Sequence, residues 1–313
     1  MEKHALETVK VTDNAMELID FRLVKKNDKD KIQEMIFGIN VYKVKEVIFK
    51  PEHIFKVPSD TECLEGMVNL RGKVIPVINL QKKLGYNTNE YNTDYLVITE
   101  FNQVTCGFMV NQIKKIRRFS WQDMITPPPE IRSQYGDLIT SITLLEGGDI
   151  MLILDFEKII ADMNADYYNN AIDWSKVKKT QDSHTIMCVD DSSVARKMAK
   201  KALEEAGYKV IDAVNGVEAL QILKSLAEET TKNNESILNK INAIICDIEM
   251  PLMDGFTFTK TLKENPALNP IPVILHSSLS RTVLSGKGEN VGAIDFLTKF
   301  NSTTLIEAVS KVT

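Results

Sequence analysis

Short runs of apolar and alternating residues, separated by polar turn segments, dominate the first half of the chain from residue 19 to about residue 154. Runs of this length and spacing predict β-strands. Many short strands with few helical stretches are typical of an all-β barrel or sandwich, and residues 156 to 163 then predict a closing helix. The predicted strands are 19–24, 35–39, 44–49, 67–70, 73–80, 95–100, 104–110, 113–118 and 150–154.

After residue 183 the pattern changes to short buried strands that alternate with helices. This alternation predicts a parallel sheet with helices on both faces. The polar stretch between the halves lacks apolar periodicity, which is typical of an interdomain linker. We therefore predict one domain over residues 14–165, a linker over 166–183 and a second domain over 184–313. The elements predicted for the second domain are strands 185–189, 209–213, 243–246, 272–275 and 293–297, and helices 192–206, 216–229, 256–264, 281–290 and 303–311.

Composition and charge restrict the classes of partner. The 313 residues carry a formal net charge of -5, which gives no electrostatic reason to expect a nucleic acid or an anionic membrane as partner. No apolar run approaches the roughly 18 residues of a spanning helix, so we expect no direct membrane insertion. The polar, acidic N-terminus does not resemble a secretory signal, and we expect a cytoplasmic protein. The four cysteines and four histidines show no metal-binding spacing.

One carboxylate stands at the end of the most apolar strand of the second domain. Residues 243 to 246 form a short run suited to a strand buried on both faces, and the run ends at Asp247. Turn-forming residues follow directly. An acid in this place lies where open α/β sheets put their active sites. Taken alone, Asp247 also fits an ordinary strand-end acid, a helix cap or a turn former.

Other polar groups follow the neighbouring predicted strands. Asp190 and Asp191 end the first strand, Ser277 the fourth and Lys299 the fifth. Each alone has a structural explanation as a helix cap, a loop hydroxyl or a surface lysine. Because the strands are parallel, all these groups meet at one edge of the sheet. Three crowded carboxylates repel one another unless a cation joins them, and an oxygen-rich pocket suits Mg²⁺. Together with a lysine ammonium, such a site would neutralise an incoming phosphoryl group.

The residues that carry this set resemble the motifs of two-component receiver domains. The matching segments are VDDSSVAR at 189–196, AVNGVEAL at 213–220, CDIEMPLMDG at 246–255, PVILHSS at 272–278 and DFLTK at 295–299. The resemblance implies a flavodoxin-like, doubly wound fold with five parallel strands. It also implies these roles: phosphoacceptor, Asp247; Mg²⁺ ligands, Asp190, Asp191, Asp247 and the backbone carbonyl of Glu249; switch hydroxyl, Ser277; phosphate-sensing lysine, Lys299; switch aromatic, Phe296.

Two positions depart from the receiver pattern. Phe300 follows Lys299 where the family usually has proline. The segment His276-Ser277-Ser278 replaces the commoner Thr-Ala of the family, and we assign the switch hydroxyl to Ser277 because it lies five residues after Pro272.

In the first half one motif stands out, GMVNLRGKVIPVINL at residues 66–80. It predicts a strand, a tight turn at Arg71-Gly72 and a second strand in which Pro76 marks an edge or a bulge. The simplest interpretation is a hairpin with a solvated arginine at its tip. The motif also resembles the signature of CheW-like coupling domains, which fold as two small β-barrels and dock onto chemoreceptor tips and the CheA histidine kinase. The coupling residues implied are Gly66, Asn69, Arg71, Gly72 and Pro76.

A CheW-like domain followed by a receiver resembles the CheV family of chemotaxis coupling proteins. The resemblance implies a scaffold in receptor arrays that binds the cytoplasmic tips of methyl-accepting chemoreceptors and CheA, and whose Asp247 accepts phosphate from the kinase phosphohistidine. We expect no independent enzymatic turnover. The alternative is a phosphate sink that drains the kinase without altering the scaffold. A Mg²⁺-dependent phosphatase is disfavoured because adjacent Asp190-Asp191 replace the Asp-x-Asp pair usual after the first strand.

Overall fold

The computed structural model describes residues 15–26, 31–59, 61–86, 93–101, 104–163, 180, 183–277, 291–298 and 302–313. In its first half, the described strands form two five-stranded sheets, with orders β8-β1-β2-β10-β9 and β3-β6-β7-β5-β4. Two small sheets with mostly antiparallel pairing confirm the predicted all-β class. The strands are β1 Ala15–Lys26, β2 Ile32–Asn40, β3 Val44–Phe49, β4 Leu64–Leu70, β5 Lys73–Asn79, β6 Tyr95–Phe101, β7 Val104–Val110, β8 Gln112–Ser120, β9 Ile139–Leu144 and β10 Ile150–Leu154.

A cluster of aromatic rings joins the two sheets. Phe21 of the first sheet stacks on Phe37 at a centroid distance of 5.6 Å. Phe108 of the second sheet meets Phe156 edge-on at 4.6 Å. All four side chains are essentially excluded from solvent, so they form the centre of the core of this half. Three helices complete it: α1 Leu80–Lys83, α2 Pro129–Tyr135 and α3 Phe156–Met163.

Strand β9 was not among the predicted strands. At its end a polar side chain faces inward and an apolar one faces solvent, because Thr143 is buried while Leu144 is 58% exposed. The sequence therefore lacks the apolar alternation that identifies a half-buried strand. Helix α2 was also missed. Its first residue, Pro129, belongs to a triple proline that predicts a turn, but proline is also favoured at the first position of a helix.

The predicted hairpin at the coupling motif is confirmed, with one correction. Arg71 and Gly72 both have positive φ, of 51° and 85°, which is the geometry of a type I′ turn between β4 and β5. Pro76 does not lie on an edge strand, because β5 pairs with both β4 and β7. Pairing with β7 starts only at Val77, so the proline removes no hydrogen bond from that side. The bulge lies opposite, on β4, next to Gly66.

The second half is the predicted doubly wound α/β unit. Its parallel strands have the order β12-β11-β13-β14-β15, which is the flavodoxin-like order. The helix predicted at 281–290 lies outside the described residues. The described elements are β11 Thr185–Val189, α4 Ser193–Glu205, β12 Lys209–Ala213, α5 Gly216–Lys232, β13 Ala243–Asp247, α6 Gly255–Glu264, β14 Val273–Ser277, β15 Asp295–Thr298 and α7 Ser302–Ser310.

Helix α4 joins the two halves. Val194 and Met198 lie one turn apart on this helix, and both are buried in the same apolar cluster as Ile159 and Ile160 of α3. The α/β unit therefore packs against the β domain along this helix, which begins two residues after Asp191. This contact places the polar edge of the parallel sheet beside the first half of the chain.

The coupling motif contains a glycine that the fold requires, and its replacement gives a first prediction. A Cβ added at Gly66 would lie 2.2 Å from the carbonyl oxygen of Phe55, at a φ of +143°. Gly66→Ala should therefore lower the free energy of unfolding by about 2–4 kcal/mol, measured by urea unfolding. Gly72→Ala is the matched control, because its φ is +85° but no atom lies within 4 Å. It should cost only about 1 kcal/mol. Equal losses in the two variants would contradict this steric explanation.

Candidate functional site

Three carboxylates meet at the carboxyl edge of the parallel sheet, as predicted. Asp190 and Asp191 follow β11 directly, and Asp247 is the last residue of the adjacent strand β13. One oxygen from each carboxylate lies within 4.8 Å of the others. Asp190 and Asp247 are buried, and Asp191 is half-buried. The site is therefore a compact acidic cluster with one member nearer to solvent.

Backbone contacts fix the first two acids. Ser192 caps helix α4 by accepting a hydrogen bond from the Ala195 N–H, and the Ser192 N–H donates to Asp190 Oδ1 at 2.9 Å. Arg196 Nη1 donates to the carbonyl oxygens of Asp190, at 2.6 Å, and Asp191, at 3.1 Å. The arginine therefore holds the loop from the helix side. These contacts orient the carboxylates before any ligand binds.

Helix α6 fixes the position of Asp247. Asp254 caps this helix by accepting hydrogen bonds from the N–H groups of Phe256 and Thr257, each at 3.0 Å. Gly255 follows it, and a Cβ there would lie 2.3 Å from the carbonyl oxygen of Asp247. The sequence suggests only a turn at Asp254-Gly255, but in the structure the pair caps the helix and allows its close approach to the acidic cluster.

Of the other predicted site residues, Ser277, Phe296 and Glu249 are described by the structure. Ser277 ends β14, next to the Asp247 strand, and is 1% exposed. Phe296 is buried on β15, with its ring centroid 6.3 Å from that of Phe256. Glu249 is buried two residues after Asp247. Lys299 lies outside the described residues. The sheet thus brings Ser277 and Phe296 to the edge that carries the acids.

The donor set fits a hard divalent cation. Like charges this close in a buried setting repel strongly, and a cation shared among them removes that repulsion. Carboxylate oxygens are the ligands that Mg²⁺ prefers, and with only three of them the ion would keep part of its water shell. Asp190, Asp191 and Asp247 would hold the ion. Soft-metal chemistry has no support here, because all four cysteines are buried and burial raises the pKa of the nearby Cys188 thiol.

The coupling motif forms a second candidate surface, on the second β-sheet. The Arg71 side chain at the hairpin tip is 78% exposed, and its Nη2 lies 2.7 Å from Glu46 Oε2. The Asn69 side chain accepts a hydrogen bond from the Gly72 N–H at 2.8 Å. Three large apolar residues of this half are at least 70% exposed: Phe49, Phe55 and Val74. Val74 adjoins the hairpin turn, and exposed apolar groups are typical of a protein-binding surface.

One residue near the acidic cluster comes from the β domain, and sequence reasoning missed it. Asn40 Nδ2 donates a hydrogen bond of 3.2 Å to Glu249 Oε2, and both residues are buried. The partners are 209 positions apart in the chain, so no local pattern could indicate the contact. Asp191 also lies on the wall of a cleft of about 450 Å³ that both halves line. The acidic cluster thus faces an interface between the domains.

Comparisons with known proteins identify both halves. A model of the CheW-like domain matches residues 31–164, and a model of the response regulator receiver domain matches residues 186–310. Chemotaxis protein CheV3 of Helicobacter pylori is 33% identical over 95% of this chain and 94% of its own length. Chemotaxis protein CheV1 of the same bacterium is 26% identical over 95% and 93%. Among solved structures, the scaffolding protein TtCheW from Thermoanaerobacter tengcongensis is 25% identical, covers 45% of this chain and 89% of its own, and superposes with a TM-score of 0.39.

Crowding of the acids gives a second prediction. Asp191→Asn should raise the thermal stability without Mg²⁺, because it removes one of three repelling charges. Added Mg²⁺ should stabilise the wild type and stabilise this variant less, with an affinity reduced by roughly tenfold or more. Both effects are measured by thermal unfolding across a Mg²⁺ titration. Glu229→Gln is the control, because that carboxylate pairs with Lys240 on the surface near the C-terminal end of helix α5. A wild type that does not respond to Mg²⁺ would contradict the assigned site.

Proposed function

Since the chain belongs to the CheV family of chemotaxis proteins, we propose that it is a scaffold that couples chemoreceptors to the CheA histidine kinase and is regulated by phosphorylation of Asp247. The β domain binds receptor tips and kinase, and the receiver accepts the phosphoryl group. We retain the predicted domain limits, 14–165 and 184–313, as part of the proposal. The main support is the acidic cluster, whose carboxylate oxygens lie within 4.8 Å of one another at the edge where receivers are phosphorylated.

In the proposed reaction an Asp247 carboxylate oxygen attacks the phosphorus of a phosphohistidine. A P–O bond forms, the P–N bond breaks, and the imidazole keeps the electron pair and takes a proton from solvent. The adjacent acids raise the barrier, because they repel the incoming phosphoryl oxygens. When bound, Mg²⁺ supplies the positive charge that offsets this repulsion. Ser277 donates a hydrogen bond to a phosphoryl oxygen, and Lys299 provides a second cation.

The return step is hydrolysis. Water attacks phosphorus, the bond to Asp247 breaks, and the carboxylate, inorganic phosphate and a proton are released. The phosphoryl group contacts one arrangement of the loops after β13, β14 and β15 better than the other, and this difference shifts the population. Phe296 is buried against Phe256, so a movement of Ser277 that follows the phosphate changes the packing available to this ring.

A scaffold rather than an enzyme fits the β domain. Its motif lies on an exposed hairpin, and the three exposed apolar side chains on this sheet and on the segment bridged to it offer contact area for a protein. Arg71 lies in the turn itself, and its side chain is 78% exposed. No helix in the part of the chain that the structure describes is long and apolar enough to cross a membrane. We propose that the protein reaches receptor arrays by binding receptors and kinase.

Phosphorylation gives a third prediction. Incubation with phosphorylated CheA and Mg²⁺ should add about 80 Da to the wild type, measured by intact mass, because one phosphoryl group is transferred. Asp247→Ala should show no adduct, and removal of Mg²⁺ should abolish it in the wild type. An adduct retained by Asp247→Ala would refute the assignment. An adduct that leaves receptor and kinase affinities unchanged would favour the phosphate sink.

The hairpin arginine gives a fourth prediction. Arg71→Ala should weaken binding to receptor or kinase by roughly tenfold or more, measured by titration calorimetry, because exposed arginines are frequent energetic centres of interfaces. Arg118→Ala is the matched control. This arginine is 53% exposed and paired with Glu17 at 2.6 Å on the other sheet. It should leave binding within about twofold. Equal effects of the two changes would place the docking surface elsewhere.

A further inference from the structure

One contact between the domains lies two residues beyond Asp247 in the chain. Asn40 begins the link from β2 to β3, where the chain crosses from the first sheet to the second. Its Oδ1 accepts the Tyr42 N–H at 3.0 Å, which leaves Nδ2 to donate to Glu249 Oε2 at 3.2 Å. Glu249 is two residues beyond Asp247. The buried Asn40 side chain therefore uses both its oxygen and its nitrogen, and it connects the link between the two sheets to the loop that follows Asp247.

Electrostatics place a third group at this contact. Burial raises the pKa of the Tyr42 hydroxyl, and the carboxylates of Glu17 and Glu249 raise it further. The β domain therefore lies within electrostatic range of Glu249 along this link. A hydrogen bond between a buried carboxylate and an amide is stronger than a neutral one, and losing its donor leaves a buried charge less well solvated.

Apolar packing continues the same interface along helix α4. Val194 and Met198 are 0% and 4% exposed and pack in the core cluster of the β domain. The helix starts at Ser193, two residues after Asp191, so the apolar contact begins near the acidic cluster and extends away from it. The polar contact of Asn40 and the apolar contact of helix α4 involve different residues, and both stabilise the packed arrangement of the two domains.

Elsewhere along the interface a cleft of about 450 Å³ remains, with Asp191 on its wall. Arg132 and Thr140 of the β domain line it, as do Asp191 and Arg196 of the receiver. This is the size of a small-molecule site. A folded donor domain of about 100 residues has a radius of gyration of about 13 Å and is far too large to enter. Access through this cleft therefore depends on the size of the phosphodonor.

We propose that the β domain covers the receiver's phosphorylation site, held by the Asn40–Glu249 hydrogen bond, so that the covered form accepts phosphate from small donors but excludes a protein phosphohistidine. This inference rests on the proposed function, since it takes Asp247 as the phosphoacceptor. With acetyl phosphate, the bond from phosphorus to the acetate oxygen breaks, acetate leaves with the electron pair, and the bond to Asp247 forms. A protein donor reacts only after the domains separate.

The test compares two donors on the full chain. Asn40→Asp keeps the cap on the Tyr42 N–H but places a carboxylate against Glu249, so it should open the interface. Its rate of phosphorylation by phosphorylated CheA, relative to that by acetyl phosphate, should rise by roughly tenfold. Adding Glu249→Gln to Asn40→Asp restores a hydrogen bond with donor and acceptor exchanged, and should return the ratio to within about threefold of the wild type.

Two further variants test whether the ratio changes because the interface opens or because the change at Asn40 disturbs the nearby phosphorylation site. Met198→Glu weakens the apolar part of the interface, away from Asp247, and should raise the same ratio. Asn79→Asp is the matched control, because Asn79 also caps a helix and donates to a glutamate, Glu65, at 3.1 Å, but within the β domain. It should leave the ratio unchanged. A rise with Asn40→Asp but not with Met198→Glu would overturn the cover.

Hydrogen exchange without donor or Mg²⁺ gives a second measurement. Asn40→Asp and Met198→Glu should each increase exchange in helix α4 by roughly tenfold, because its buried face becomes exposed, whereas Asn79→Asp should not. Unchanged exchange in both interface variants would refute the cover whatever the donors do. If neither donor labels any variant while exchange rises as expected, the cover stands and the proposed phosphorylation of Asp247 fails.

Discussion

Repulsion among three carboxylates held within 4.8 Å of one another is the constraint on which the receiver depends. The parallel sheet creates this crowding, because it brings the ends of β11 and β13 side by side. Local contacts then prevent the acids from moving apart. Arg196 hydrogen-bonds to the backbone carbonyls of Asp190 and Asp191. Gly255 packs closely against the Asp247 carbonyl, which restricts movement of the Asp247 backbone. The fold thus stores an electrostatic cost that a bound cation or a change of charge relieves.

Described groups from both halves of the chain lie near the acidic cluster. Charges in a buried setting act on their neighbours more strongly than charges in water, so each change at Asp247 is felt at Glu249 and at the groups around it. In this protein those groups include Asn40 of the other domain. The chain at Asn40 is also the link between the two β-sheets. A change at the receiver therefore has a direct mechanical connection to the domain that carries the coupling motif.

The receiver was easier to predict from the sequence than the interface. All five parallel strands were predicted, because buried strands read as short apolar runs and the acids mark their carboxyl ends. Strand β9 was missed because buried Thr143 and exposed Leu144 reverse its polarity. Helix α4 was predicted, but an apolar helix face does not state whether it packs on its own sheet or on another domain. The Asn40–Glu249 pair has no local signal, since only the packing of the two domains brings it together.

In the proposed model, thermodynamic linkage connects the domain interface to the binding of partners. If the covered and separated forms differ in how readily Asp247 is phosphorylated, any partner that prefers the separated form changes phosphorylation, and phosphorylation changes the affinity of that partner by the same factor. To change the population from about 1% to about 99% separated, the free-energy difference between the covered and separated forms must change by about 5.5 kcal/mol. One hydrogen bond to a buried carboxylate supplies only about 1.5–3 kcal/mol of this. Under the proposed cover, the remainder would have to come from the other contacts of the interface, of which buried Val194 and Met198 on helix α4 are the apolar part.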